Sequence, residues 1–414
     1  LEHKAQPGRP RQSTGRPLQN TGGTECTAMP PSVGHTPWQR ICFNLRSDHR
    51  LSPDQPHPMP PVADRRMDLD HLARRFRSFA AESCRGQSPL YEKLCTVIAE
   101  DEQLLALASA TPAGQPTANL FLAAVHFLLL GGSGHELTRY YPSCCRPGNP
   151  LPPDDIAPVL RAFCLDYERE LLELLATRRV QTNEVRRSAY LLPAFTHIQR
   201  RHATRSLTLI EVGTSAGLLL NWDRYAYQYS TDGSAPPHRA TGPVVIASHW
   251  RGEVPPPSTA ELPHVASRIG IDLHVVDVQN PLDARWLRSL IWPDQPARAE
   301  LLSAAIREFQ EAPAPLIEGD ALERLPDLVG DSPEGTHLCV FHCHTLNQFS
   351  AEQRQQFDDL LAELSRSRPL SQLSAEWRFT PQPQLHLVDW AAGRAEKSLL
   401  ANIDHHGRWI DWLP

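Results

Sequence analysis

Residues 211–217, Glu-Val-Gly-Thr-Ser-Ala-Gly, set an acid, a serine and two glycines two residues apart. Glycines so placed let the chain turn sharply and bring backbone close to a ligand, because no Cβ stands between them. Residues 213–217 also read Gly-x-Ser-x-Gly, the strained turn that presents a serine nucleophile. Asp320 would then orient the base and His405 would take the proton, in the chain order Ser, Asp, His. A third group is Cys-Val-Phe-His-Cys-His at 339–344. On a strand, alternation puts His342 and His344 on one face and Cys339 and Cys343 on the other. Those histidines can serve as bases near neutral pH, or share a metal with Asp404, His405 or His406. No standard zinc spacing joins them, so no metal is assigned.

These residues need elements to hold them. The apolar–polar alternation of 207–210, the glycine turn and the apolar run from Ala216 predict strand, tight turn and helix, with Glu211 at the strand's carboxyl end. That end is where open α/β sheets bind ligands. Before it, from Asp68 to about Ala203, the pattern is helical; Leu72, Phe76 and Phe79 space out as one apolar face. The last of these helices spans about 183–202, with Thr182 or Asn183 as its cap. After the turn, a helix over 218–229 would carry Trp222, Tyr225 and Tyr229 towards the core. Strands follow at 244–247, 271–278, 315–318, 337–344 and 373–377, interleaved with helices at 281–309 and 351–364. Strands at 385–390 and 398–404, joined by a turn around Gly393, close the chain. The expected fold is therefore α/β: an N-terminal helical domain (67–205), then a Rossmann-like, mainly parallel sheet (206–414) with a C-terminal antiparallel hairpin and an insertion at 230–262.

Residues 1–66 hold 11 prolines and no sustained periodicity, which predicts a disordered tail; Met67, just before the first convincing helix, is a candidate start of the native protein. The tail carries nine Lys/Arg against five Asp/Glu, whereas the chain as a whole has 41 against 47. An acidic body argues against a general nucleic-acid binder. No secretory signal and no run of 18 apolar residues is visible, and nine irregularly spaced cysteines do not make a disulfide framework. A cytoplasmic protein without a membrane partner is expected, with a small molecule as its substrate. Oligomeric state is not legible.

The pattern E-x-G-x-S-x-G at 211–217 resembles the first motif of class I S-adenosylmethionine-dependent methyltransferases. Two further places resemble that family: Gly319-Asp320-Ala321 after the third alternating strand, and Asp277 at the end of the second. The resemblance implies S-adenosylmethionine as cofactor. Backbone at Gly213, Ser215 and Gly217 would approach it, and Glu211 would serve its ammonium end. Asp277 would take the ribose hydroxyls and Asp320, with Ala321, the adenine. It also implies methyl transfer to a small acceptor, with His342 or His344 as the base and Asn347 orienting the acceptor. A non-catalytic cofactor-binding protein, or a serine hydrolase using Ser215, is the alternative. Asp277 lies 66 residues beyond Glu211, against about 20 in the usual pattern. Either the 230–262 insertion loops out, or the second strand is the one at 244–247. Over about 68–414 the chain also looks like a family of uncharacterised bacterial proteins defined only as a domain of unknown function. That likeness is carried by QTNEVRR (181–187), EVGTSAGLLLNWDRY (211–225), RIGIDLHVVDV (268–278), RWLRSLIWPDQ (285–295) and HGRWIDWL (406–413). It implies no reaction.

Overall fold

A computed structural model describes residues 62–145, 150–204, 206–231, 242–251, 253–254, 262–377 and 382–413. The tail expected at 1–66 falls outside these except for its last five residues, which belong to the first helix, α1 (Val62–Phe79). Then come α2 (Pro89–Glu100), α3 (Glu102–Ala108), α4 (Thr117–Leu130), α5 (Ile156–Asp166), α6 (Glu168–Thr177) and α7 (Ser188–Arg201). Side chains start the early helices: Ser88 Oγ accepts from Tyr91 N with Pro89 in the first turn, and Asp101 accepts from Gln103 N and Leu104 N. Helix α4 is apolar all round and buried on nearly every side.

The second half forms one ten-stranded sheet: β1 (Ser206–Val212), β2 (Ala226–Thr231), β3 (Val245–Trp250), β4 (His264–Asp272), β5 (Leu316–Glu318), β6 (His337–Cys343), β7 (Leu370–Glu376), β8 (Gln384–Ala391), β9 (Arg394–Ile403) and β10 (Trp409–Trp412). Helices α8 (Pro281–Ser289), α9 (Pro296–Glu311), α10 (Ala321–Gly330) and α11 (Ala351–Leu364) interleave with the later strands. The spatial order is β2-β3-β10-β9-β8-β7-β6-β1-β4-β5. Strands β5, β4, β1, β6 and β7 pair in parallel. The β7–β8, β8–β9 and β9–β10 pairs are antiparallel. The fold is thus a helical region followed by a large, mostly parallel, Rossmann-like sheet with antiparallel strands at its C-terminal end. Both faces of β1 are covered: Leu207 and Leu209 enter the large core with the helical region, while Ile210 and Val212 enter a smaller one. That smaller core also holds Leu325 of α10 and Phe357 of α11.

Three local expectations need correction. No strand spans 271–278: β4 ends at Asp272, whose Oδ1 accepts from His274 N and turns the chain away. No α-helix spans 218–229 either. A 3₁₀ segment, Leu218–Arg224, kinks at Asn221 and gives way to β2. Tyrosines take the carbonyls that a helix would have used, Tyr225 OH donating to Leu218 O and Tyr227 OH to Trp222 O, each at 2.6 Å. Trp222, Tyr225 and Tyr229 are buried as expected, but not from a helix. Finally, the antiparallel part is larger than a hairpin, because Trp409–Trp412 adds a strand that joins β9 to β3.

The sheet curls around α7. Six spacings separate β2 from β6, about 29 Å if the sheet were flat. Yet Phe195 of α7 stacks on Trp222, four residues before β2, at 5.0 Å, and lies edge-on to Phe341 of β6 at 5.4 Å. On the same helix, Ala189 O accepts from Tyr229 OH of β2 at 2.7 Å. Only a strongly coiled sheet brings both strands to one helix.

Candidate functional site

Strand β1 lies between β4 and β6, and this is where the strand order reverses. The crevice of an open α/β sheet forms at such a point, outside the carboxyl ends of the strands. Here those ends present the turn 213–217, Asp272, Gly319-Asp320, His344-Thr345 and Glu376.

The turn is held mostly by its own neighbours. Gly213 N and Thr214 N donate to Ile271 O at 2.8 and 3.2 Å, Gly217 N donates to Thr214 O at 2.8 Å, and Val276 N donates to Ser215 O at 3.1 Å. Ser215 N donates to Asp272 Oδ2 at 2.8 Å. Gly213 has φ +76°, and a Cβ there would run into the Thr345 side chain, so only glycine fits. Ser215, with φ +54°, holds an unusual backbone conformation for a side-chain-bearing residue. Its Oγ is buried with no hydrogen-bond partner among the described residues.

Glu211 is 1% exposed and accepts Thr214 Oγ1 at 2.7 Å. Burial pushes its carboxyl up to about 8; Asp272 adds to the shift, and the Thr214 hydrogen bond and the Arg187 charge oppose it. A group so enclosed anchors the turn rather than touching a ligand. Asp272 and Asp320 lie nearer the surface. Gly319 N donates to Asp272 O at 2.9 Å, which sets the ends of β4 and β5 side by side. Asp320 caps α10 through Leu322 N, and Ala321 is the first residue of that helix. Asp277 is exposed five residues beyond the strand, its Oδ1 accepting from Gln279 N.

The segment QTNEVRR packs against the turn. Asn183 does not cap the helix that follows. Its Nδ2 donates to Thr214 O at 3.2 Å, and its Oδ1 accepts Leu218 N at 3.1 Å, clamping both ends of the turn. Glu184 is 5% exposed and accepts Arg298 at 2.6 Å and pairs with His406 at 3.2 Å. Burial opposes its charge, but the His406 hydrogen bond and the charges of Arg298, His406 and Arg187 outweigh it and hold the carboxyl at about 2. Arg187 donates to His405 O and Cys343 O. Gly407, at φ +72°, lies so close to Arg186 O that a Cβ would not fit.

Alternation sends His342 to the face of Val340, into the smaller core. It is wholly buried, with Nδ1 on Glu376 at 2.7 Å and Nε2 against Gln372 at 3.1 Å. His344 lies past the strand at φ +60°. Its Nε2 has no hydrogen-bond partner among the described residues, and its ring sits 5.5 Å from that of His405. Burial first, then Arg187 and the neighbouring histidines, lower its pKa to about 2. The two histidines therefore do not meet at one metal. Asn347 lies on the turn beside His344, its backbone N donating to Glu376 Oε2. Ser215, Asp320 and His405 do not assemble as a triad either: the Ser215 hydroxyl is unpartnered, and the His405 ring packs against His344 and Trp377.

Sequence reasoning missed Glu184, Arg187, Asp272, Arg298 and Glu376. Glu376 accepts from Thr345 N, Leu346 N and Asn347 N as well as pairing with His342, so it sets the whole turn after β6. Glu184 carried one signal, a charged residue inside a motif distinctive enough to mark the chain.

Strand order and crevice make this an α/β protein of the doubly wound, Rossmann-like class. Over residues 73–412 the chain matches the family described as an uncharacterized protein conserved in bacteria (DUF2332), and it belongs to that family. No curated protein and no solved structure matches it. No helix among the described residues is long and apolar enough to cross a membrane.

Proposed function

We propose that the crevice binds S-adenosylmethionine and that the protein transfers its methyl group to a small-molecule acceptor. One observation carries this reading: Asp272 ends β4, and Asp320 follows two residues past the end of β5, where Gly319 N donates to Asp272 O, so that both acids lie next to the glycine turn at the point where strand order reverses. A ribose diol and an adenine amino group are donors that two such carboxylates would accept. Asp272 takes the ribose role that the sequence pattern gave to Asp277. It accepts from Ser215 N and His274 N yet keeps lone pairs for a ligand. Glu211 supports the turn from beneath. Bound S-adenosylmethionine would supply an activated methyl group, and the chain's part is then chiefly to orient the acceptor. His344 is placed for that. A ring that stays neutral down to about pH 2 is a weak proton acceptor, so it acts by positioning the acceptor rather than by deprotonating it.

The test is calorimetric titration of the full chain with S-adenosylmethionine and S-adenosylhomocysteine, alongside Asp272→Asn and Asp320→Ser. Serine preserves the cap of α10 while removing the charge. Micromolar binding by the wild type, weakened at least tenfold in both variants while each stays folded, is the expected result; Asp272→Asn also gives up one of the two backbone N–H groups that Asp272 accepts, so some loss of thermal stability accompanies it. Absence of binding by the folded wild type would overturn the reading.

A further inference from the structure

At the opposite end of the strands from the crevice, four side chains converge. They are His202 just past α7, His337 at the start of β6, Ser371 on β7 and Asp389 on β8. Both imidazole Nε2 atoms approach the same hydroxyl, Ser371 Oγ, at 2.8 Å from His337 and 3.3 Å from His202. Asp389 Oδ1 lies 2.5 Å from that hydroxyl and 2.9 Å from His202 Nε2. The two rings stack at 4.0 Å with 16° between their planes. One ligand atom each of His202, His337 and Asp389 falls within 4.8 Å of the others, and among the described residues no other such trio of His, Cys, Asp or Glu occurs.

We infer that His202, His337 and Asp389 form a binding site for a divalent transition metal of the zinc type, with Ser371 or water completing the shell. Two imidazole nitrogens and one carboxylate oxygen suit zinc and its borderline neighbours, and binding would tilt the rings out of their stack so that both in-plane lone pairs meet one ion at about 2.0–2.1 Å. The second oxygen of Asp389 is already fixed, since Arg201 Nε donates to Oδ2 at 2.6 Å. That orients Oδ1 towards the histidines, as outer contacts orient metal-ligating carboxylates. The nearby positive charges are themselves engaged. Arg201 also pairs with Glu396, and Arg368 donates to Ser332 O, Pro333 O and Thr336 O. The site lies at the amino ends of β6 and β7, away from the crevice. An ion there would fasten the end of α7 to the sheet that curls around it and would raise the stability of the fold.

The full chain, stripped with a chelator, should be titrated with zinc chloride by calorimetry and with cobalt(II) by absorption spectroscopy. One equivalent of zinc should bind, the melting temperature should rise with zinc, and cobalt should give the d–d bands of a low-coordinate site. His337→Gln and Asp389→Asn should each weaken zinc binding by about a hundredfold and cancel the melting shift. His202→Gln, at the more exposed ring, is the control should either variant fail to fold. The inference is overturned if folded protein binds no zinc or if all folded variants bind it like wild type. Neither result bears on S-adenosylmethionine binding, which belongs to the carboxyl ends of the strands.

Discussion

Glu211 is an acid in a place that disfavours its charge, and this makes it a reporter on the turn above it. The unfolded chain releases its proton near the ordinary value of 4.5, whereas the folded chain holds it to about 8. Between those values the native state binds the additional proton, so stability falls as pH rises across the window and stays low above it. Glu211→Gln keeps an acceptor for Thr214 Oγ1 and removes the titration. Urea denaturation should find variant and wild type matched at pH 4. By pH 8.5 the variant should be ahead by a few kcal/mol at most, since each unit of separation is worth about 1.4 kcal/mol. Parallel profiles would mean that Glu211 is solvated in the native protein. Gly213 calls for a similar distinction. A side chain there meets Thr345 whether or not a ligand binds, so Gly213→Val tests folding and not cofactor affinity.

At the scale of elements, the turn 213–218 depends on a segment that precedes it in the chain and ends the helical region. Asn183→Ala leaves Leu218 N and Thr214 O without the partner that Asn183 gave them, in a buried place. A loss of about 2–3 kcal/mol is expected. Hydrogen exchange should speed up at Leu218 while the amides inside β1, held by β4 and β6, keep their protection; uniform exchange would show that Asn183 does not clamp the turn. This dependence also shows what the sequence made legible. Helix α11, over 351–364, was readable residue for residue because its Ser350–Gln353 capping box and amphipathic spacing are local. The strand-turn of β1 was readable for the same reason. The end of β4 was not. Val275 and Val276 continue a β-like pattern, and only the side chain of Asp272, closing on His274 N, stops the strand. Glu184 with Arg298, or Glu376 under the turn after β6, join residues more than 25 positions apart, and no periodicity announces such a pair.

Taken whole, the molecule does not divide cleanly where the helices stop and the strands begin. The large core runs without a break from Phe76 of α1 through Phe121 of α4 and Phe195 of α7 to Phe341 of β6 and Trp412 of β10. Helix α7 ends the helical region in sequence but lies inside the curled sheet in space. Phe195 is the residue where this matters most, being wholly buried between Trp222 and Phe341. Phe195→Ala would remove the ring that joins the segment before β2 to the centre of the sheet, at a cost of about 3–5 kcal/mol. If the helices and the sheet share one core, urea transitions followed by far-ultraviolet dichroism and by tryptophan fluorescence should coincide in the wild type. The substitution should move both midpoints down together, without changing the denaturant slope. Were α7 merely docked on a self-sufficient sheet, the two probes would part, with different midpoints for fluorescence and for helical dichroism. The six-spacing gap between β2 and β6, which α7 bridges through Ala189 at Tyr229 and Phe195 at Phe341, argues for the shared core.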